Sequence, residues 1–265
     1  MTSFSIVLPS NSSMESHPKN TLSNYTTVLS KGLELDGDWE VALTEIQFPR
    51  TWYNVTSPVS VDKYEYTFRN TNDPFKAGSY LQLMEGYYDD GAQIIDQINN
   101  ELTDTISEEY LATKLVYDTA SRKCRLLIGE NNILGMNSRL ASLLGFGDDG
   151  ARIFNQFDNR REGRHAIDVD QGFYGLFVYC DILESIPVGD TRAPLLKIVD
   201  VSGKFGEIIH RIYSDPQYIP LGKKEFESIE INIRDDTGRL VPFQFGKVVM
   251  TLHFRRSKNP YFLKK

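Results

Sequence analysis

The chain has 265 residues, a net charge of −7 and an apolar fraction of 40%. That is ordinary globular composition, enough for one large domain or two small ones, and its acidity argues against a dedicated nucleic-acid binder, which is usually basic. No run approaches the ~18 apolar residues of a transmembrane helix, and residues 1–8 lack the basic start and long apolar core of a signal peptide, so no membrane-spanning segment and no secretion are predicted.

Taken in chain order, residues 4–8 make a short apolar run stopped by Pro9. Residues 24–29 and 33–35 read as strand ahead of a Gly37 turn. Val41, Leu43, Ile46 and Phe48 make a further strand ended by Pro49. Tyr64, Tyr66 and Phe68 share one parity and predict another, and residues 70–78, with Asn, Asp, Pro and Gly, predict a loop.

The period then changes. Residues 80–84 read as a strand. After Gly86, Ile94, Ile95, Ile98 and Leu102 form a helical stripe, with Asp89 and Asp90 at its start, where carboxylates suit the helix dipole. Residues 115–117 and 124–128 read as two strands around a polar turn. Asn137 or Ser138 caps a short helix over 139–144, closed by Gly145. The stretch 148–171 is polar, carries Arg152, Arg160, Arg161, Arg164 and His165, and reads as an exposed loop.

Strand signal returns over 174–183, 195–201 and 207–213 and is clearest near the end. Residues 226–233 alternate apolar and polar, Asp235-Asp236-Thr237-Gly238 breaks the run, and Val248, Met250, Leu252 and Phe254 share one parity. Asp and Gly supply turn geometry, so strand, turn and strand predict a terminal hairpin, whose strands also pair with N-terminal ones. The organisation is mainly β. The pattern predicts an antiparallel β-sandwich formed by residues 1–79 and 148–265, interrupted at 80–147 by an inserted α+β module of order β-α-β-β-α, rather than two independent all-β domains, since the first β segment is too short to bury two sheet faces alone.

Chemical motifs are few. Gly145-Phe146-Gly147-Asp148-Asp149-Gly150 has dinucleotide-loop spacing but follows a helix, and its acids would repel a pyrophosphate; it reads as a helix cap and turn. Asp236-Thr237-Gly238 spells the aspartic-protease triplet, but Arg234, Asp235 and Arg239 flank it, whereas that chemistry needs a shielded carboxylate sharing a proton with a second one. His17, His165, His210 and His253 have no metal-ligand spacing, and Cys124 and Cys180 sit in apolar runs as core thiols suited to a reducing compartment. The Asn-X-Ser/Thr triplets at Asn11, Asn24 and Asn54 read as coincidental in a chain that is not secreted. No catalytic residue, cofactor site or metal site is predicted.

The candidate contacts are therefore interfacial. Trp52-Tyr53 follows a proline at a strand end and is the best aromatic anchor. Arg160, Arg161 and Arg164 lie in the predicted loop. Arg255 and Arg256 begin a basic tail, with Lys258, Lys264 and Lys265, that would suit phosphate or an acidic protein face.

Several segments together resemble the penton, or minor capsid protein, of Polinton (Maverick) elements and of related adenovirus-like and virophage-like viruses. They are Leu8-Pro9-Ser10-Asn11-Ser12-Ser13-Met14 with Asn20-Thr21-Leu22-Ser23-Asn24-Tyr25; Gly37-Asp38-Trp39-Glu40-Val41-Ala42-Leu43 running to Phe48-Pro49-Arg50-Thr51-Trp52-Tyr53; Gly86-Tyr87-Tyr88 and Leu143-Leu144-Gly145-Phe146; and Tyr218-Ile219-Pro220-Leu221 through Phe254-Arg255. Asp89-Asp90 depart from the small hydroxyl residues expected after the paired tyrosines.

The resemblance implies a single jelly roll that forms homopentamers at capsid vertices. It implies a double-jelly-roll major capsid protein as partner, a virion location after assembly inside the host cell, and no enzymatic activity. A double jelly roll would itself need a far longer chain. The basic tail would face the major capsid protein or packaged DNA. Two other readings compete: a non-capsid sandwich that binds carbohydrate or protein, and an enzyme acting through Asp236.

Overall fold

The computed structural model describes residues 2–56, 63–72, 79–105, 112–147, 150–158, 161–171 and 173–257. In chain order the strands are β1 (Ser3–Pro9), β2 (Asn24–Glu34), β3 (Trp39–Pro49), β4 (Glu65–Asn70) and β5 (Ser79–Gln82), followed by helix α1 (Gly91–Thr105). Then come β6 (Lys114–Asp118), β7 (Lys123–Leu127), β8 (Asn132–Met136), helix α2 (Ser138–Leu143) and β9 (Arg152–Asn155). The last strands are β10 (Gly175–Cys180), β11 (Ile186–Val188), β12 (Thr191–Ala193), β13 (Leu195–Asp200), β14 (Ile208–Ile212), β15 (Ile219–Pro220), β16 (Glu225–Arg234) and β17 (Val249–Arg256).

The chain divides into two compact units, residues 1–52 with 173–265, and residues 53–172. In the first, one antiparallel sheet runs β1-β17-β3-β14, with β15 also pairing β3, and the other runs β13-β10-β16-β2. Numbering its eight principal strands in chain order gives 1-8-3-6 and 5-4-7-2, which is jelly-roll order. Among these eight strands the chain crosses between the sheets at every step but one, β10 to β13, and the apolar parity of β16 and β17 points inward. Ile229, Ile231 and Ile233 of β16 and Met250, Leu252 and Phe254 of β17 are buried with Leu8, Val41 and Phe48 in one core.

The predicted terminal hairpin is corrected. β16 and β17 lie in opposite sheets: β16 pairs β2 and β10, while β17 pairs β1 and β3. The turn at Asp235 does reverse the chain, since Asp235 N–H donates to Arg239 O at 2.8 Å, but it closes only the Arg234–Leu240 bridge. The apolar parity is the same for a hairpin and for two facing sheets, so period alone could not choose between them. The pairing with N-terminal strands is as predicted.

The second unit differs from the predicted insertion in its boundaries. The Tyr66 and Phe68 strand pairs β8 rather than a sandwich strand, and residues 152–155, expected in a loop, form β9 on the other edge of β8. The sheet order is β5-β4-β8-β9, with β6-β7 as a separate hairpin. β8 carried no sequence signal because it is short and contains Gly135. A Cβ at Gly135 would lie 2.5 Å from the Thr67 Oγ1 opposite, so a larger residue there would have to turn that hydroxyl aside.

Both helices start as their caps dictate. Asp90 Oδ1 accepts from Gln93 N–H at 3.0 Å, while Gln93 Oε1 accepts from Asp89 N–H at 2.9 Å. Asn137 caps α2 through Leu140 N–H. The helix ends on Gly145 at φ +79°, with Gly145 N–H donating to Ser142 O and Phe146 N–H to Ala141 O at 2.9 and 2.8 Å. This doubly bonded left-handed cap accounts for the first glycine of the Gly-X-Gly-X-X-Gly run.

Candidate functional site

Of the predicted contact residues, Trp52 is corrected first. It is 3% exposed, and its ring stands edge-on to Phe173 and Phe243, at centroid distances of 5.1 and 5.4 Å. It is a core side chain of the jelly roll. A proline at a strand end marks where a strand stops, not which way the next side chain points. Tyr53 is half-buried and falls in the second unit.

The arginine loop is corrected next. Residues 161–167 are stitched by backbone bonds: Leu126 N–H to Arg161 O at 2.6 Å, Gly163 N–H to Cys124 O at 2.8 Å, His165 N–H to Gly145 O at 3.0 Å and Ile167 N–H to Arg122 O at 2.9 Å. Arg161 spends its donors on the carbonyls of Asp158 and Gln156, which closes its own turn. Arg164 is exposed, and Arg160 lies outside the described residues.

Arg255 has a better-built place. At one end of the jelly roll a cleft of about 800 Å³ is lined by the 35–40 turn, residues 184–187, Arg192, residues 218–224, Arg255 and Ser257. The Arg255 guanidinium sits 3.3 Å from the Tyr218 ring centroid, and its Nε donates to Glu40 Oε1 at 2.6 Å. Tyr218 in turn shares a 2.8 Å hydrogen bond with His253 Nδ1. Arg256 lies 6.0 Å from the Trp39 ring centre.

The other cations lining the cleft also have partners. Lys223 bonds Asp181 at 2.5 Å, Lys224 stands 3.8 Å from Asp38, and Arg192 donates to Ser185 O at 2.5 Å. The cleft therefore offers shape, aromatic rims and a nearly balanced field rather than a strong charge of either sign. Sequence reading missed it because its walls come from segments that only the sheet register brings together, Glu40 and Arg255 being 215 residues apart.

Groups with chemical potential are held inert. Burial pushes both thiols up, Cys180 to about 12, so they stay protonated. Asp236 is exposed on its turn. Its neighbour Asp235 is the organiser, accepting from Thr237 N–H and Arg239 N–H at 2.9 Å each and from the Thr237 hydroxyl at 2.6 Å. Among the described residues no group of three His, Cys, Asp or Glu could hold a metal ion, and no helix is long and apolar enough to cross a membrane.

No family model and no curated protein sequence matches the chain. Solved structures do. A chain of the Sputnik virophage structure determined by cryo-EM has TM-score 0.47 and 10% identity, covering 97% of this chain and 98% of that one. The crystal structure of the selenomethionine-labelled mavirus penton protein has TM-score 0.54 and 12% identity, covering 97% of this chain and 100% of that one. At that identity the likeness establishes a shared fold, matched over nearly the whole of both chains.

Proposed function

We propose that this chain is a structural capsid protein, a single-jelly-roll penton subunit that forms pentamers at the five-fold vertices of an icosahedral particle of the Polinton (Maverick) or virophage type. The observation that carries the reading is the full-length likeness to the mavirus penton protein, with 100% of that chain matched. The described residues fit a building block. Their polar side chains tie turns and strand edges together, and their thiols are buried in the two cores. The expected partners are four further copies and a double-jelly-roll major capsid protein, and the expected location is the virion.

The test is co-expression with a candidate major capsid protein and reconstruction of the particles. Density for this chain on the five-fold axes is the expected result; particles whose vertices lack it overturn the reading. The second reading, a carbohydrate- or protein-binding sandwich, is favoured by the aromatic-rimmed cleft. It predicts a monomer that binds ligand there and never enters particles.

A further inference from the structure

A closed ring of identical copies needs two different contact surfaces on opposite sides of each subunit. The β1-β17-β3-β14 sheet has two such edges, and their hydrogen-bond parity can be read directly. Arg256 N–H donates to Thr2 O and Ser10 N–H to Val248 O, so the even residues of β1 face β17, and Ser3, Ser5 and Val7 turn their backbone groups to the open edge. Arg50 N–H donates to Glu207 O and Tyr213 N–H to Thr44 O, so Ile208, His210 and Ile212 do the same on β14.

Each open edge carries exposed apolar side chains. Val7 is 55% exposed, Ile208 72% and Ile212 71%. β1 contains no charged residue, and on β14 His210 bonds Glu45 while Arg211 bonds Asp200. Folded chains normally blunt a sheet edge with charge or cover it. This chain does so at β2, where Asn20 bonds both the N–H and the C=O of Thr26 and Ser13 Oγ accepts from Val28 N–H. Among the described residues no such side-chain bond closes the outward backbone groups at β1 or β14.

Exposed apolar side chains extend each edge across the sandwich. Met14 lies on the chain's passage from β1 to β2, while Val28 on β2 and Ile198 on β13 belong to the two edge strands of the other sheet. Because all pairings in the sheet are antiparallel, β14 runs opposite to β1. A copy rotated about an axis along the strands therefore brings its β1 antiparallel to the neighbour's β14. A net charge of −7 per copy opposes self-association, and exposed apolar side chains on a contact surface add nothing to that repulsion.

We propose that copies join head to tail, the Ile198, Ile208 and Ile212 flank of one packing on the Val7, Met14 and Val28 flank of the next. This rests on the penton reading and assigns its subunit contact.

The test is native mass spectrometry of the full chain and of two double variants, Ile208→Asp with Ile212→Asp, and Val7→Asp with Val28→Asp. Milder serine versions of each pair serve if the aspartates unfold the chain, and far-UV circular dichroism checks the fold. The wild-type chain should form pentamers, and each variant alone should stay monomeric. A mixture of the two variants should give one-to-one dimers and nothing larger, since only one intact pair of flanks remains. Pentamers from either variant overturn this contact while leaving the penton reading standing; dimers of one variant alone mean a self-complementary contact and also overturn it. A wild-type chain that stays monomeric at all concentrations overturns the pentamer itself, and this contact with it.

Discussion

Arg255 lies over Tyr218 at 3.3 Å while donating to Glu40 across the sheet at 2.6 Å. The pair with Glu40 joins β17 to β3 where they are direct register partners, and both side chains are largely buried. A charge-assisted bond in that setting is worth more than a surface ion pair, and the stacked ring adds to it. Replacing Arg255 with Ala should cost about 1–3 kcal/mol. Replacing it with Lys should recover only part, because a lysine cannot stack its head flat on a ring. Trp39 and Trp52 both belong to the jelly roll, so urea titration followed by tryptophan fluorescence reads this unit alone. An unchanged midpoint for R255A would show that the arginine is free for an outside ligand.

Trp52 makes a sharper claim, because the two readings of it predict opposite results. As an exposed anchor, Trp52→Ala would leave the monomer intact and weaken assembly. As the side chain packed between Phe173 and Phe243, it should cost about 3–5 kcal/mol of stability. Thermal unfolding of the variant followed by circular dichroism distinguishes them, with a large fall in Tm expected.

The jelly roll was legible to the degree that one side of each strand is buried. The alternation in β16 and β17 and the runs at β1 and β3 give both strands and core, since period two is all that a half-buried strand requires. What was not legible is pairing. Ile231 and Leu252 look alike in sequence yet belong to different sheets. In the second unit the caps at Asp90, Asn137 and Gly145 were readable because each acts within a few residues. β8 and β9 were not, because Gly135 and the outward Ile153 hide the alternation. The cleft and the two sheet edges depend on which strands end up outermost, a property of the whole order that no local window contains.

Gly145 and Gly37 separate conformational strain from collision. Both have left-handed backbone, at φ +79° and +87°. A Cβ on Gly145 would lie 2.2 Å from His165 O, whereas one on Gly37 meets nothing within 4 Å. Gly37→Ala should therefore cost only the strain, about 1–2 kcal/mol. Gly145→Ala should cost clearly more, because the 163–165 backbone must move and its bond to Gly145 O must break. Hydrogen exchange over residues 138–167 is the readout: faster exchange is expected in G145A and no change in G37A. Equal effects would remove the close approach from the account.

Asp235 and Asp236 differ in the same way. Asp235→Ala removes the acceptor for two backbone N–H groups and a hydroxyl and should cost about 1–2 kcal/mol. Asp236→Asn changes an exposed carboxylate and should leave both stability and assembly unchanged. Loss of a peptidase activity in D236N would reinstate the enzymatic reading.

Stability should also fall in alkali, with a sign fixed by burial. The Cys180 thiol has an ordinary value of 9.0, pushed up to about 12 in the fold by desolvation. A group whose folded value is raised holds its proton better in the folded state. Its contribution is complete below the unfolded value and is lost progressively between pH 9.0 and about 12. One such group gives a slope of about 1.4 kcal/mol per pH unit across that window. Tyr25 is buried in the same core and raised for the same leading reason, so the loss continues at higher pH. Urea titrations of the wild-type chain and of Cys180→Ala at pH 8 to 11, read by tryptophan fluorescence, should show the wild type losing stability faster above pH 9. Parallel curves for the two proteins would mean that the Cys180 thiol is not desolvated.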